Sequence, residues 1–148
     1  LAQSSVGKNW RWRILTGPNF PQTHKESFRS APHIKIESLR HDFRALLAKA
    51  TLSISQAGYN TVMDIMVSGV RNVLVPFGRY GQTEQPFRAK VLADRKMSVI
   101  VDEKVLNTET LCAAVRRALA LEPPMISKLN VRGAINTARK IKDCLETP

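Results

Sequence analysis

The stretch Leu52-Ser53-Ile54-Ser55-Gln56-Ala57-Gly58-Tyr59-Asn60-Thr61-Val62-Met63-Asp64-Ile65 decides how this chain is read. Leu52 to Ser55 has the pattern of a buried strand, Gly58 marks a tight turn, and the residues after it open a helix. A strand that feeds a helix through a glycine leaves unpaired backbone N–H groups at the strand's carboxyl edge. The positive end of the helix dipole lies at the same place. Such an end is a ready anion site, and phosphate is its usual occupant. Asn60 and Thr61 add short side-chain donors there, and Asp64 follows one helical turn on, on the same face. A carboxylate repels phosphate but accepts hydrogen bonds from sugar hydroxyls. Diphosphate beside ribose is the chemistry of a nucleotide. Taken alone, however, Thr61-x-x-Asp64 fits a capping box at least as well, with the acid simply stabilising the helix.

A second feature follows the next strand. In Val75-Pro76-Phe77-Gly78-Arg79-Tyr80-Gly81-Gln82-Thr83-Glu84-Gln85, two glycines and a row of polar residues make a loop. Glu84 and Gln85 then open a helix with a carboxylate and an amide side by side, a pair able to bond several hydroxyls of one sugar. The plain alternative is that Glu84 complements a helix dipole and Gln85 is surface. Neither feature is decisive alone. Their pairing at successive strand ends favours a nucleotide-sugar site.

The rest of the chain keeps the same rhythm. Strands are expected at Trp10 to Thr16, Ile34 to Ile36, Asn72 to Pro76 and Ser98 to Val101. Ser38 is expected to cap a helix bearing Phe43, Leu46, Leu47 and Ala50, an apolar i, i+3, i+4, i+7 face. Further helices are expected up to Gly69, from Glu84 to about Asp94, and from Asn107 or Thr108 with Leu111, Val115 and Leu119. A last helix follows Glu122-Pro123-Pro124 with Ile135, Ala138, Ile141 and Leu145 on one face. Pro21 to Ser30 reads as a loop or irregular helix. The alternation predicts an α/β fold, a Rossmann-like parallel sheet with helices on both faces. Ligands of such sheets lie beyond the carboxyl ends of the strands, where both features fall.

Composition narrows the classes. The 148 residues, 43% of them hydrophobic, suffice for one domain with its own core. Cys112 and Cys144 form no metal spacing and no disulfide framework, which points to the reducing cytoplasm. No run is apolar enough to span a bilayer and no secretory signal opens the chain. Leu1 to Lys8 reads like the tail of a preceding segment. The net charge of +11 is biased to the first third. Nucleic acid is a poor fit, because aromatics are 6% of the chain and do not interleave with the basic residues. The exception, Trp10-Arg11-Trp12-Arg13, is explained more simply as the start of a half-buried strand.

The string from Gln56 to Asp64, then Val75-Pro76, then Glu84-Gln85, resembles the nucleotide-sugar-binding half of GT-B glycosyltransferases. Two branches are similar to it. One includes the bacterial N-acetylglucosaminyltransferases that make lipid II, and the other the plant and antibiotic UDP-sugar transferases. The resemblance runs from about Ile14 to Leu119. It implies that Gly58, Asn60 and Thr61 hold a diphosphate, with Tyr59 among them, and that Asp64 takes the ribose. It assigns Glu84 and Gln85 to the donor sugar, the turn at Leu39 and Arg40 to the base, and Gly17 to a glycine-rich turn near the phosphates. Asp64 stands where the family carries the longer Glu, and Gln56 where many members carry His, so sugar and base preference stay open.

The same resemblance implies a C-terminal donor domain, residues 1–148, of a longer two-domain chain whose N-terminal domain binds the acceptor and supplies the base. No cofactor or metal is required for leaving-group stabilisation by helix N–H groups, and no Asp-x-Asp pair is present. His24, His33 and His41 have no partnered spacing and read as surface or loop residues. The isolated domain is expected to bind a nucleotide sugar, with UDP the expected nucleotide, and to transfer nothing. A cytoplasmic location follows, with peripheral contact to an anionic membrane surface left open. The rivals are a UDP-sugar epimerase-type domain of the same architecture and a non-enzymatic basic module for anionic lipid or nucleic acid.

Overall fold

In the computed structural model, residues 1–4, 6–26, 31–38, 40–79, 81–125 and 132–146 are described. The chain alternates strands and helices: β1 (Trp12–Thr16), α1 (Gln22–Glu26), β2 (Ile34–Ser38), α2 (Phe43–Lys49), β3 (Leu52–Ser55), α3 (Tyr59–Ser68), β4 (Arg71–Leu74), α4 (Glu84–Asp94), β5 (Val99–Ile100), α5 (Thr108–Ala120) and α6 (Gly133–Glu146). All strand pairs are parallel. β1 pairs with β2, and β3, β4 and β5 form a second sheet in that order, so the strands fall into two sheets of two and three.

Alternation along β4 sets the layers. Leu74 joins Leu47 of α2, Val62, Ile65 and Met66 of α3, and Ala89 and Leu92 of α4 on one face. Val73 joins Val99, Val101 and Ala114, Val115 and Ala118 of α5 on the other, where Leu52 and Ile54 of β3 also pack. A strand apolar on both faces is what a sheet covered by helices on both sides demands. The expected layering is therefore present. Asn72 is the buried polar residue of β4, and its Nδ2 donates to the carbonyls of Val70 and Met97.

Local signals explain most element ends. α3 stops at Gly69, whose φ of 68° is the left-handed conformation that glycine adopts at no steric cost. α5 begins with a reciprocal cap in which Asn107 and Thr110 satisfy each other's backbone N–H. The expected cap of α2 is corrected: Ser38 ends β2, and Asp42 is the residue before the helix. Arg40 explains the shift, since its guanidinium grips Asp42 at 2.7 Å and leaves the chain between strand and helix as an ion-paired turn.

The first residues fold against the domain. Leu1 and Trp10 pack on the α5 side of the core, and Trp12 donates its indole N–H to the Gly7 carbonyl at 2.8 Å. Trp10 and Trp12 stack on each other at 5.9 Å, so the one tryptophan-arginine alternation serves packing. α6 has no buried residue, and its apolar face with Ile135, Ile141 and Leu145 is exposed. Among the described residues no helix is long and apolar enough to cross a membrane.

Leu74 lies wholly inside the core. Leu74→Ala should cost about 2–5 kcal/mol of stability, measured by urea unfolding of the chain.

Candidate functional site

Because β3 and β4 are parallel neighbours, the segments that leave their carboxyl ends emerge side by side. The β3–α3 turn carries Gly58, and the β4–α4 loop carries Gly78 and Gly81 and leads into Glu84 and Gln85. Gln85 joins the two: its Oε1 accepts from the N–H of Ala57 at 3.2 Å and from that of Phe77 at 3.0 Å. Both groups leave the sheet without a ladder partner, and an unpaired buried N–H costs about 1–3 kcal/mol. One side chain thus satisfies two loops.

The amino end of α3 is open. Its first described backbone bond runs from Val62 N–H to the Gly58 carbonyl, and no side chain caps it. The N–H groups of Tyr59, Asn60 and Thr61 meet no acceptor among the described residues. Gly58 has φ of −59°, a value open to any residue, and a Cβ there would approach nothing closer than Thr61 Oγ1 at 3.9 Å. Neither backbone nor packing therefore demands glycine at 58. Its small size keeps the front of the helix clear.

Asp64 is brought to the edge of this end but not left bare. Arg44 Nε of α2 donates to its Oδ1 at 2.5 Å, while Oδ2 has no partner among the described residues. The Arg44 side chain is 72% exposed, so the pair contributes little stability. Glu84 is exposed at the start of α4, beside a cleft of about 320 Å³ lined by Gly81, Gln82, Thr83, Glu84 and Gln85. Pro86 sits within the first turn of α4, where its missing N–H is no loss.

The other expected positions are less assembled. Gly17 follows β1, exposed, with open space where a Cβ would stand, in the sheet that does not contain β3. Leu39, assigned to the base, lies outside the described residues. Arg40 is committed to ion pairs with Glu37 at 3.0 Å and Asp42 at 2.7 Å. A hydrogen bond from Lys35, with help from the charges of Arg13 and Arg40, holds the Glu37 carboxyl below its ordinary range. Arg40 does the same for Asp42. Among the described residues no cluster of His, Cys, Asp or Glu could hold a metal ion, and both cysteines are free. Sequence reasoning missed Arg44 and Arg88. Arg88 was legible in principle, since it stands three residues after Gln85 and so on its face of α4.

Residues 3–143 match the glycosyltransferase family 28 C-terminal domain. The chain belongs to that family. It is 30% identical over 105 residues to the UDP-N-acetylglucosamine--N-acetylmuramyl-(pentapeptide) pyrophosphoryl-undecaprenol N-acetylglucosamine transferase of Rippkaea orientalis, covering 71% of this chain and 29% of that protein. The enzyme of the same name from an Exiguobacterium species is 27% identical over 117 residues, covering 79% of this chain and 33% of its own length. Among solved structures, MurG of Acinetobacter baumannii superposes with a TM-score of 0.61 at 25% identity, covering 77% of this chain and 36% of MurG. The kitacinnamycin glycotransferase reaches 0.65 at 19% identity, over 76% of this chain and 27% of that one, a likeness of fold.

The expected GT-B half is therefore borne out, and no comparison supports the epimerase or lipid- and nucleic-acid-binding rivals. The chain spans about a third of the length of the curated relatives it matches.

Glu37 is the group whose titration the turn after β2 depends on. Its lowered carboxyl stabilises the fold at neutral pH, and that contribution is lost as acid protonates it, below the usual carboxylate value of about 4.3. Glu37→Gln should remove the Glu37 share of this acid-side loss and leave the Asp42 share in place, as read by circular dichroism across pH 2–7.

Proposed function

We propose that this chain is the donor-binding half of a glycosyltransferase that moves a sugar from a nucleotide diphosphate, UDP in the first instance, to an acceptor. What carries the reading is the open amino end of α3, its three backbone N–H groups without acceptors, tied through Gln85 to the start of α4. The diphosphate lies on those N–H groups, with Gly58, Tyr59, Asn60 and Thr61 around it. The free Oδ2 of Asp64 accepts from the ribose. Glu84 accepts from the donor sugar, and Gln85 contributes through its amide nitrogen, since its oxygen is already shared by two backbone groups. The base lies toward Leu39 and Arg40, and Gly17 borders the phosphates.

Chemically this half does two things. It fixes the donor so that the sugar's anomeric carbon is presented to the acceptor. It also stabilises the negative charge that gathers on the departing diphosphate, with N–H groups that need no reorganisation. Neither role calls for a metal. Glu84, the carboxylate that lines the cleft, is given to the donor sugar in this reading, so the acceptor site and base are assigned to an N-terminal half of a longer protein. The curated relatives are named for a UDP-N-acetylglucosamine donor and a lipid-linked acceptor. A cytoplasmic protein of net charge +11 suits peripheral contact with an anionic bilayer carrying such an acceptor.

UDP titrated into the chain should shift the backbone amides from Gly58 to Asp64 in a ¹⁵N-resolved spectrum. Unmoved amides there would end the donor reading. Gly58→Ala should fold normally, within about 0.5 kcal/mol, yet bind UDP roughly 10-fold more weakly because a methyl group enters the phosphate's approach.

A further inference from the structure

Arg88 plays no part in the sequence reading, yet its side chain ends where α3 begins. Its Nη1 donates to the Ala57 carbonyl at 2.6 Å, and its Cζ stands 5.6 Å from the centre of the Tyr59 ring. Gln85, one turn earlier on the same face of α4, takes the N–H of the same Ala57. Ala57 itself is completely buried. Both the N–H and the C=O of one residue are thus gripped by side chains of a single helix. The turn that aims α3 cannot rotate without breaking one of the two bonds.

The charge of Arg88 is as informative as its hydrogen bond. Other arginines near the site end on carboxylates: Arg40 on Glu37 and Asp42, Arg44 on Asp64, and Arg79 on Glu103. Arg88 ends on a neutral carbonyl, with no carboxylate partner among the described residues. Its cation therefore stands unneutralised beside the positive end of a helix. Two positive sources at one place repel, and an anion arriving between them is bound by both. A guanidinium has five N–H donors, and a single hydrogen bond leaves most of them for that anion.

We propose that Arg88 is a positioning and binding residue for the donor's diphosphate, locking the Ala57–Gly58 peptide and adding a fixed cation to the α3 N-terminus. The inference rests on the donor reading above. It also predicts which ligand atoms depend on Arg88: the phosphates, and above all the second one, but not the base or ribose. Tyr59, 64% exposed, acts as the flat surface that keeps the guanidinium in place.

The test measures binding of UDP, UMP and uridine to the chain and to Arg88→Ala, Arg88→Lys and, as a charge-matched control at the residue that follows the same helix, Arg95→Ala. Arg88→Ala should weaken UDP at least 10-fold, UMP less, and uridine under 2-fold. Arg88→Lys keeps the stem and charge but not the planar fork, and should fall between. Arg95→Ala should bind all three as the parent does. The Gly58 amide nitrogen, in the peptide whose oxygen Arg88 holds, should shift in both Arg88 variants before any ligand is added. Equal loss for all three ligands would mean a merely structural residue, and UDP binding undisturbed in both variants would remove Arg88 from the site. Either result overturns the proposal while the donor reading stands. A parent chain that binds no UDP would overturn both.

Discussion

One amide oxygen holds the site together. Gln85 Oε1 lies between the N–H of Ala57 and the N–H of Phe77, at 3.2 and 3.0 Å. Those two residues open the segments that leave β3 and β4, where the parallel ladder has ended. A parallel sheet orders its strands but not the loops beyond them. Here the first turn of α4 supplies the missing order, and it does so for two loops with one atom. The core beneath makes this possible, because Ala89 and Leu92 seat α4 on the same face of the sheet as Val62, Ile65 and Met66 of α3. The helices are held at a fixed distance, and Gln85 reaches across it.

How much of this was legible in the sequence depends on the range of the interaction. The strand-glycine-helix stretch, the ends of α3 and α4 and the start of α5 follow from local signals, and they stand where local physics places them. The two-sided core also follows, since Val73 and Leu74 are apolar neighbours that must face opposite ways. The misplaced cap of α2 failed for a local reason of another kind. Ser38 has the right residue type, but it is the last ladder residue of β2, opposite Thr16, and the helix starts only after Asp42. Gln85 could not be read fully at all. Its place at a helix start was visible, whereas its bond to a residue 28 positions earlier depends on how two helices sit on a sheet.

The basic excess has a similar lesson. A net charge of +11, heaviest in the first third, reads as a surface that attracts polyanions. The structure shows several of the 23 basic side chains in short-range use. Arg13, Lys35 and Arg40 converge on Glu37, Arg44 holds Asp64, and Lys90 holds Asp94. Such pairs leave the net excess unchanged, since it already counts the acids, but they decide where on the surface it is felt. Charge counts bound the classes of partner, and pairing decides where an anion would be felt. By that measure the amino end of α3 stands out, because donors and cation there have no acid to satisfy them.

Asp64 fits the same logic. Arg44 takes its Oδ1 from the α2 side and leaves Oδ2 as the oxygen with no partner among the described residues. A carboxylate held on one edge has fewer rotamers to lose when ligand binds, so part of the ordering cost is met before the ligand arrives. The same device appears on the other side of the turn, where Arg88 fixes a peptide rather than a carboxylate. Both arginines lie outside the motif itself, one on the helix before it and one on the helix after. The open end of α3 is therefore framed by three helices of the domain, and the glycine turn is only the part of it that a linear sequence displays.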